Sequence, residues 1–197
     1  MLDGKPFRFY FRGGNLALDF VNTVGDRLSK TGQRDYFRSS DLLLRWAREA
    51  GLSLPNKNDN AGVSPKDLRK AIAFRESLYG LFVRQMEGKA AAPEDLRNLN
   101  ELLMKQRSRM HLEQRQGGYK WRSAPTSKVD SILEQVAEQA ASLLTSPELA
   151  RLKVCENEDC GWLFVDRSRN LPRRWCSMED CGNRAKARRH YEREKRS

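Results

Sequence analysis

All four cysteines of this 197-residue chain lie in one short stretch near its carboxyl end. Their spacing is C-x4-C-x15-C-x4-C, formed by Cys155, Cys160, Cys176 and Cys181. Each pair can supply two adjacent corners of a tetrahedron, the geometry in which Zn²⁺ accepts four thiolates. The residues before Cys155 contain no cysteine but hold most of the long apolar periodicity. The sequence therefore predicts one domain at residues 1–150 and a small zinc module at residues 151–197.

Other uses of the cysteines are less well supported. A disulfide framework conflicts with a reducing cytoplasm, where we expect the protein because no apolar signal segment is recognisable. Iron–sulfur sites usually have closer cysteine spacing. Redox or nucleophilic catalysis needs an accessible thiol beside a base, and the only histidines are His111 and His190. We therefore predict one structural zinc ion, with disulfides and an iron–sulfur cluster as alternatives.

The residues between the two cysteine pairs predict a β-hairpin. Segments 162–165 and 173–175 flank the polar, turn-prone residues 166–170. Gly161 follows a cysteine at a point where tight turns around a metal commonly need a positive φ. Ser177 is suited to cap a helix whose first turn would contain Cys181. A knuckle, a hairpin and a helix in this order are typical of a treble-clef-like zinc finger, and metal binding would supply much of its folding energy.

The helix predicted after Cys181 is strongly basic. Residues 182–197 contain seven Lys and Arg against two Glu, a local charge of +5. At 100° per residue, Met178, Cys181 and Ala185 fall on one side, which we expect to face the metal core. Arginine clusters bind phosphates through charge-assisted hydrogen bonds. The candidate nucleic-acid contacts are Arg173, Arg174, Arg184, Lys186, Arg188, Arg189, Arg193 and Lys195. The alternative is a solvated helix whose cations balance the dipole at its end.

The whole chain is basic as well. It contains 37 Lys and Arg against 26 Asp and Glu, a net charge of +11 at pH 7, which favours a polyanionic partner. Its hydrophobic fraction of 39% is typical of a soluble globular protein rather than a disordered one. No segment approaches the roughly 18 consecutive apolar residues of a membrane span, so no membrane partner is expected.

Apolar periodicity predicts a helical domain before the cysteines. Capping residues and glycines mark the ends of its helices: starts at Asn15, Ser39 or Ser40, Ser64-Pro65, Pro93 and Ser127, and stops at Gly51, Gly88 and near Thr145. Gly117-Gly118 separates two short segments, 110–114 and 119–122, as in a β-hairpin. The predicted fold class is mainly α: a helical N-terminal domain with a short β-hairpin, followed by the zinc finger.

A polar cluster lies on the first predicted helix. Asn15, Asp19 and Asn22 share one face of this helix, and Arg12 lies just before it. These four residues are the candidate binding site for a small-molecule effector. The alternative is that Asp19 and Asn22 cap neighbouring helices or satisfy buried backbone groups.

Three segments resemble a known family. Residues 176–188, CSMEDCGNRAKAR, resemble the CGNR zinc-finger signature. Residues 14–23, GNLALDFVNT, resemble the start of the ABATE domain that accompanies this finger, and residues 144–155, LTSPELARLKVC, resemble the junction between the two. The resemblance spans nearly the whole chain and is most specific in the finger. It implies a bacterial, stress-related transcription regulator with a helical N-terminal domain, a DNA-binding finger and the four cysteines as metal ligands.

These observations together predict a cytoplasmic DNA-binding regulator whose N-terminal domain senses a ligand or mediates homodimerisation. A protein-interaction adaptor with a purely structural zinc ion is one alternative. An RNA-binding protein is another, since Trp162, Trp175 and Tyr191 could stack on bases. An enzyme is the least supported class, because the sequence has no Walker loop, dinucleotide glycine motif or recognisable catalytic triad.

Overall fold

The structure is a computed structural model and describes residues 8–55, 63–124 and 126–195. Its helices are α1 (Leu16–Val21), α2 (Ser40–Glu49), α3 (Pro65–Met86), α4 (Pro93–Ser108), α5 (Lys128–Leu144) and α6 (Asn183–Glu194). Its strands are β1 (Val24–Gly25), β2 (Arg34–Asp35), β3 (Met110–Arg115), β4 (Gly118–Ser123), β5 (Leu152–Val154) and β6 (Leu163–Val165). The predicted fold class, mainly helical with short hairpins and a final helix after the cysteines, is confirmed.

The chain forms two compact units. One consists of residues 1–36 together with 143–197, and the other of residues 37–142. The first segment of the chain thus belongs to the same compact unit as the finger. The boundary between a domain at residues 1–150 and a finger at residues 151–197 stays a prediction.

The unit of residues 37–142 is built from helices whose starts follow their capping residues. The hydroxyls of Ser39, Ser64 and Ser127 each accept a hydrogen bond from the backbone N–H three residues later. Proline occupies the first position of α3 and of α4, where its missing N–H has no cost. Apolar faces of α2 to α5 form the core, with Phe37, Leu43, Trp46, Leu78, Phe82, Ile132, Leu133 and Val136 among its most buried side chains.

The predicted hairpin before α5 is also present. Strands β3 and β4 pair antiparallel from Met110↔Ser123 to Arg115↔Gly118. Gly117, in the tight loop between them, has φ +90, a conformation that favours glycine. Every residue of the two strands is exposed except Glu113, which is partly exposed.

The unit formed by the two ends of the chain has a different hairpin from the predicted one. Strand β6 pairs antiparallel with β5, through Leu152↔Val165 and Val154↔Leu163. The prediction that residues 162–165 pair with residues 173–175 is wrong, because residues 173–175 form no strand. The first cysteine pair therefore lies in the loop of the hairpin. The prediction had instead placed the hairpin between the first and the second cysteine pair.

The buried carboxylate of Asp166 explains this difference. It accepts hydrogen bonds from Ser168 N at 3.0 Å, Arg173 N at 2.9 Å and Lys153 Nζ at 2.8 Å. Burial would raise the pKa of Asp166, but these donors outweigh burial and hold the pKa well below its usual range. The carboxylate thus folds the chain after β6 into a compact loop, in which the backbone N–H of Arg173 bonds to Asp166 instead of to a strand.

Candidate functional site

The four cysteines come together in the unit formed by the two ends of the chain. They are buried, and their Sγ atoms all lie within 4.8 Å of one another. The Sγ of Cys176 is 3.7 Å from that of Cys160 and 3.6 Å from that of Cys181. A tetrahedron with Zn–S bonds of about 2.3 Å has edges of about 3.8 Å. The donor set and its spacing therefore fit Zn²⁺, and the predicted zinc-binding site is confirmed.

The disulfide alternative does not fit this arrangement. All four cysteines are free, and the sulfur separations are much longer than the roughly 2.05 Å of an S–S bond.

The first cysteine pair lies in a tight loop between β5 and β6. Cys155 N donates to Trp162 O at 2.8 Å, and Cys160 N donates to Asn157 O at 2.9 Å. Gly161 has φ +67, as predicted, and a Cβ at this position would lie 2.9 Å from Leu28 Cγ. A side chain at position 161 would therefore strain the backbone and collide with the segment before β2.

The second pair is held at the start of the C-terminal helix. Ser177 Oγ accepts from Asp180 N at 3.2 Å, which confirms the predicted cap. The turn Met178–Gly182 is π-helical, with Gly182 N donating to Ser177 O at 3.0 Å, and α6 follows it. The wider turn changes the rotation per residue. Cys181 is consequently buried, whereas Met178 is 47% exposed, so the prediction that Met178 faces the metal core is wrong.

Arg184 contacts the metal site directly. Its Nη2 donates to Cys181 Sγ at 3.1 Å, and its Nη1 lies 3.5 Å from Asp26 Oδ1. Four thiolates around one Zn²⁺ leave a net charge of −2, so a guanidinium hydrogen-bonded to one thiolate stabilises the site. Because Arg184 lies in the first turn of α6, this bond also ties the helix to the zinc site.

The segment of residues 8–36 packs on the finger within the same unit. Arg27 N donates to Cys160 O at 3.1 Å, and Leu28 N donates to Asp159 O at 3.0 Å. Trp162 is buried in the small core around the cysteines, and its Nε1 donates to Val24 O at 2.7 Å. These contacts were not predicted. The only signal for them in the sequence is Asn22 within a short apolar segment, since a buried amide needs a partner.

The predicted effector residues have defined partners within this unit. Asn15 caps α1 by accepting from Ala17 N at 2.8 Å, and Asp19 Oδ1 accepts from Gly13 N at 2.8 Å. Burial raises the pKa of Asp19 to about 6, although the backbone hydrogen bonds partly oppose the shift. Asn22 is bonded to Leu163. Arg12 forms an ion pair with Asp180, and its guanidinium lies 4.5 Å from the centre of the Tyr10 ring.

A cavity of about 590 Å³ includes the metal site itself, because Cys160, Cys176 and Cys181 are among its lining residues. Of the four predicted effector residues, only Arg12 lines it. At the edge of the cavity, the carboxylate of Asp26 forms ion pairs with Arg34 and Arg184. Asp26 has φ +50. The polar and aromatic side chains around the cavity include both cations and carboxylates: Arg8, Tyr10, Arg12, Asp26, Arg34, Tyr36, Trp162, Glu179, Asp180, Asn183 and Arg184.

The structure divides the predicted nucleic-acid residues into two groups. Most of α6 is exposed, and the side chains of its Lys186, Arg189 and Arg193, and of Lys195 directly after it, are exposed as well. Arg188 pairs with Glu158 and, at 3.2 Å, with Asp159. Arg173 stabilises the finger, because its Nη2 donates to Arg12 O at 3.2 Å and its guanidinium lies over the Phe164 ring. Arg174 pairs with Glu156 and lies over the Trp175 ring.

Comparison with known proteins shows two family matches along the chain. The ABATE family model, described as "putative stress-induced transcription regulator", matches residues 14–147. The CGNR zinc finger model matches residues 151–194 and so contains all four cysteines. Neither description is that of an enzyme family. A search of curated proteins found no match. Because the first model covers about two thirds of the chain and the second contains the metal ligands, the chain belongs to the ABATE family and carries a CGNR zinc finger.

Proposed function

We propose that this protein is a DNA-binding transcription regulator whose zinc finger presents α6 to the duplex. The observation that carries the proposal is the attachment of an exposed, cationic helix to a zinc site. Cys181 is a ligand in the turn that leads into α6, and Arg184 in the first turn of α6 is bonded to that ligand. A helix fixed in this way loses little conformational freedom when it binds.

The exposed cations of α6 supply the DNA contacts in this proposal. Lys186, Arg189 and Arg193 lie at helical spacings of three and four residues, so they form one row. A row of this kind can neutralise successive phosphates, whereas Arg173 is engaged within the finger. The principal DNA-contacting residues in this proposal are the exposed Lys186, Arg189, Arg193 and Lys195, with Arg174, Arg184 and Arg188 contributing beside them.

Binding of the zinc-loaded full chain to random duplex DNA tests this proposal. Fluorescence anisotropy at low salt should give at least a tenfold weaker affinity for the double variant Lys186→Glu, Arg189→Glu. The matched control is Lys66→Glu, Arg69→Glu, which changes the net charge equally at exposed positions of α3. If both variants lost the same amount of affinity, DNA binding would depend on the net charge of the protein and not on α6. Equal affinity of all three proteins would contradict the proposal.

The same assay separates DNA from RNA. A regulator of transcription should prefer duplex DNA over structured RNA when the two compete. Of the three aromatics considered for base stacking, Trp162 is buried in the finger core and Trp175 packs against it, so only Tyr191 is exposed enough to stack. A preference for RNA that persists in the Tyr191→Ala variant would favour the RNA-binding alternative through another surface.

Effector sensing is a second part of the proposal. The cavity has a volume of about 590 Å³, which includes the zinc position between Cys160, Cys176 and Cys181, and it extends from there to Arg8, Tyr10 and Arg34, a size in the range of small-molecule sites. Its edge includes Arg34 and Arg184, so a bound molecule would contact the first turn of α6. This location is better supported than α1, because Asn15, Asp19 and Asn22 have partners within the unit. A regulator of this kind acts in the cytoplasm, where both DNA and reduced thiols occur.

A thermal-shift screen of the zinc-loaded chain tests effector binding. A compound that binds in the cavity should raise the melting temperature of the native chain and should lose this effect in an Arg34→Ala variant. The matched control is Arg48→Ala, which lies outside the cavity. A compound that stabilises all three proteins equally would bind elsewhere.

A further inference from the structure

The hairpin of β3 and β4 has one face without charge. Alternate residues of a strand, and their cross-strand partners, point to the same side. The pairs Met110↔Ser123, Leu112↔Trp121 and Gln114↔Tyr119 therefore share one face, which we call the apolar hairpin face. None of its six residues is ionisable near neutral pH.

The opposite face holds all the charge of the hairpin. It consists of the pairs His111↔Arg122, Glu113↔Lys120 and Arg115↔Gly118. Arg122 Nε donates to Glu113 Oε2 at 2.8 Å, and Arg115 Nη2 donates to Glu113 Oε1 at 3.0 Å. These bonds place the three charged side chains on one side, as the register requires.

The apolar hairpin face is exposed in the described chain. The exposed fractions are 40% for Met110, 57% for Leu112, 68% for Tyr119 and 64% for Trp121. A two-stranded hairpin is only marginally stable in water unless its apolar side packs against something. A contiguous group of large exposed apolar side chains, with a Trp and a Tyr among them, is typical of a protein interface.

We propose that the apolar hairpin face binds the same face of a second copy of this chain and so forms a homodimer. The uncharged character of this face favours an uncharged partner surface, and a second copy of the chain carries such a surface. A polyanion needs cations at the contact, and the cations lie on the opposite face. Two copies of an uncharged face can pack together without removing any charge from water.

Twofold symmetry makes this contact self-complementary. If one residue of the first copy contacts a certain residue of the second, the same contact occurs again with the two copies exchanged. With the axis near the centre of the face, Trp121 of one copy packs on Leu112 of the second, and the cationic faces point outwards. This inference does not rest on DNA binding, because it concerns only residues of the unit formed by residues 37–142. A dimer that failed to bind DNA would contradict the proposed function alone.

Sedimentation of the zinc-loaded full chain over a range of concentrations tests the dimer. We expect the mass to rise from the 22.8 kDa of one chain towards twice that value. Leu112→Ser, Trp121→Ser should weaken dimerisation at least tenfold. The matched control, His111→Ser, Arg122→Ser, changes the next cross-strand pair on the opposite face and should leave dimerisation unchanged.

A second measurement does not depend on the variants folding. Hydroxyl-radical footprinting of the native chain should reveal protection of Tyr119 and Trp121 as concentration rises, while Tyr191 of α6 stays reactive. A chain that is monomeric at every concentration, or equal dissociation of both double variants, would overturn the proposal. So would protection of Trp121 that appears only when nucleic acid or another protein is added, because the occupant would then not be a second copy.

Discussion

The side-chain amide of Asn22 pairs with both backbone groups of Leu163. Asn22 Nδ2 donates to Leu163 O at 2.8 Å, and Leu163 N donates to Asn22 Oδ1 at 2.9 Å. Both residues are buried, although they lie at opposite ends of the sequence. The amide thus satisfies an edge of β6 as a neighbouring strand would. This relationship joins the end of α1 to the finger and makes residues 8–36 part of the zinc-bearing unit.

Replacement of Asn22 should therefore destabilise the protein. Asn22→Ala would leave a buried N–H and C=O of Leu163 without partners, at a cost of about 3 kcal/mol in the free energy of unfolding. Urea unfolding of the zinc-loaded chain measures this. The control is Asn100→Ala at an exposed position of α4, which should change stability by less than about 0.5 kcal/mol. Equal effects of the two substitutions would mean that the pairing contributes little.

Zinc removal should loosen α1 as well as the finger. The backbone bonds from Arg27 to Cys160 and from Leu28 to Asp159 depend on the folded cysteine loop. Hydrogen exchange after chelation should therefore show lost amide protection in residues 16–28 and 152–165. The helices α3 and α5 should keep their protection, because most of their core lies in the other unit. Protection of α1 that survives chelation would contradict the coupling.

Asp19 should make stability depend on pH. Burial raises its pKa in the folded protein to about 6, above the pKa of 3.8 of an unperturbed Asp. The folded state then binds the proton more tightly, so this contribution to stability is fully present below pH 3.8 and is lost as pH rises through 6. Asp19→Asn keeps an acceptor for Gly13 N and does not titrate.

The comparison of the native chain with Asp19→Asn at the same pH isolates the contribution of Asp19 to stability. The variant should gain stability relative to the native chain between pH 4 and pH 7, by up to about 3 kcal/mol. Urea unfolding in excess zinc gives the difference in the free energy of unfolding at each pH. A difference that does not change over this interval would mean that the pKa of Asp19 is not raised.

Arg184 should tighten zinc binding. Its hydrogen bond to Cys181 Sγ offsets the negative charge of the thiolates, and partners of metal ligands typically change affinity by about 10-fold to 100-fold. Arg184→Ala should therefore lose zinc to a competing chelator at about one tenth of the chelator concentration needed for the native chain. Lys186→Ala is the control, since it removes a charge from the same helix without touching a ligand. Identical zinc affinity in all three would contradict the role of Arg184.

The sequence allowed much of the fold to be predicted, because capping residues and apolar periodicity act locally. Ser64 with Pro65 predicted the start of α3, and Gly117 predicted the β3–β4 turn. The cysteine spacing predicted the zinc site for the same reason, since few folds place four thiols so close in sequence. Contacts between the chain ends were not predictable in this way. The partner of Asn22 lies at Leu163, and no local pattern encodes a pairing over that distance.

The finger hairpin was mispredicted for a related reason. Residues 162–165 and 173–175 flank a polar turn, and that pattern alone favours pairing between them. The buried carboxylate of Asp166 instead gathers donors from Lys153, Ser168 and Arg173, and so determines the loop. Met178 was placed by assuming an α-helical rotation, whereas its turn is π-helical. Both errors arise where a specific side chain or turn overrides the regular period.

The salt dependence of duplex binding tests the central claim most directly, that a zinc-held α6 contacts DNA phosphates. Each phosphate contact adds about 0.9 to the slope of log affinity against log salt. The native chain should have a steep slope, and Lys186→Glu, Arg189→Glu should lower it by about 1.8, the contribution of two phosphate contacts. Chelation of zinc should lower the affinity as well. An unchanged slope in the variant, together with unchanged affinity after zinc removal, would contradict the account.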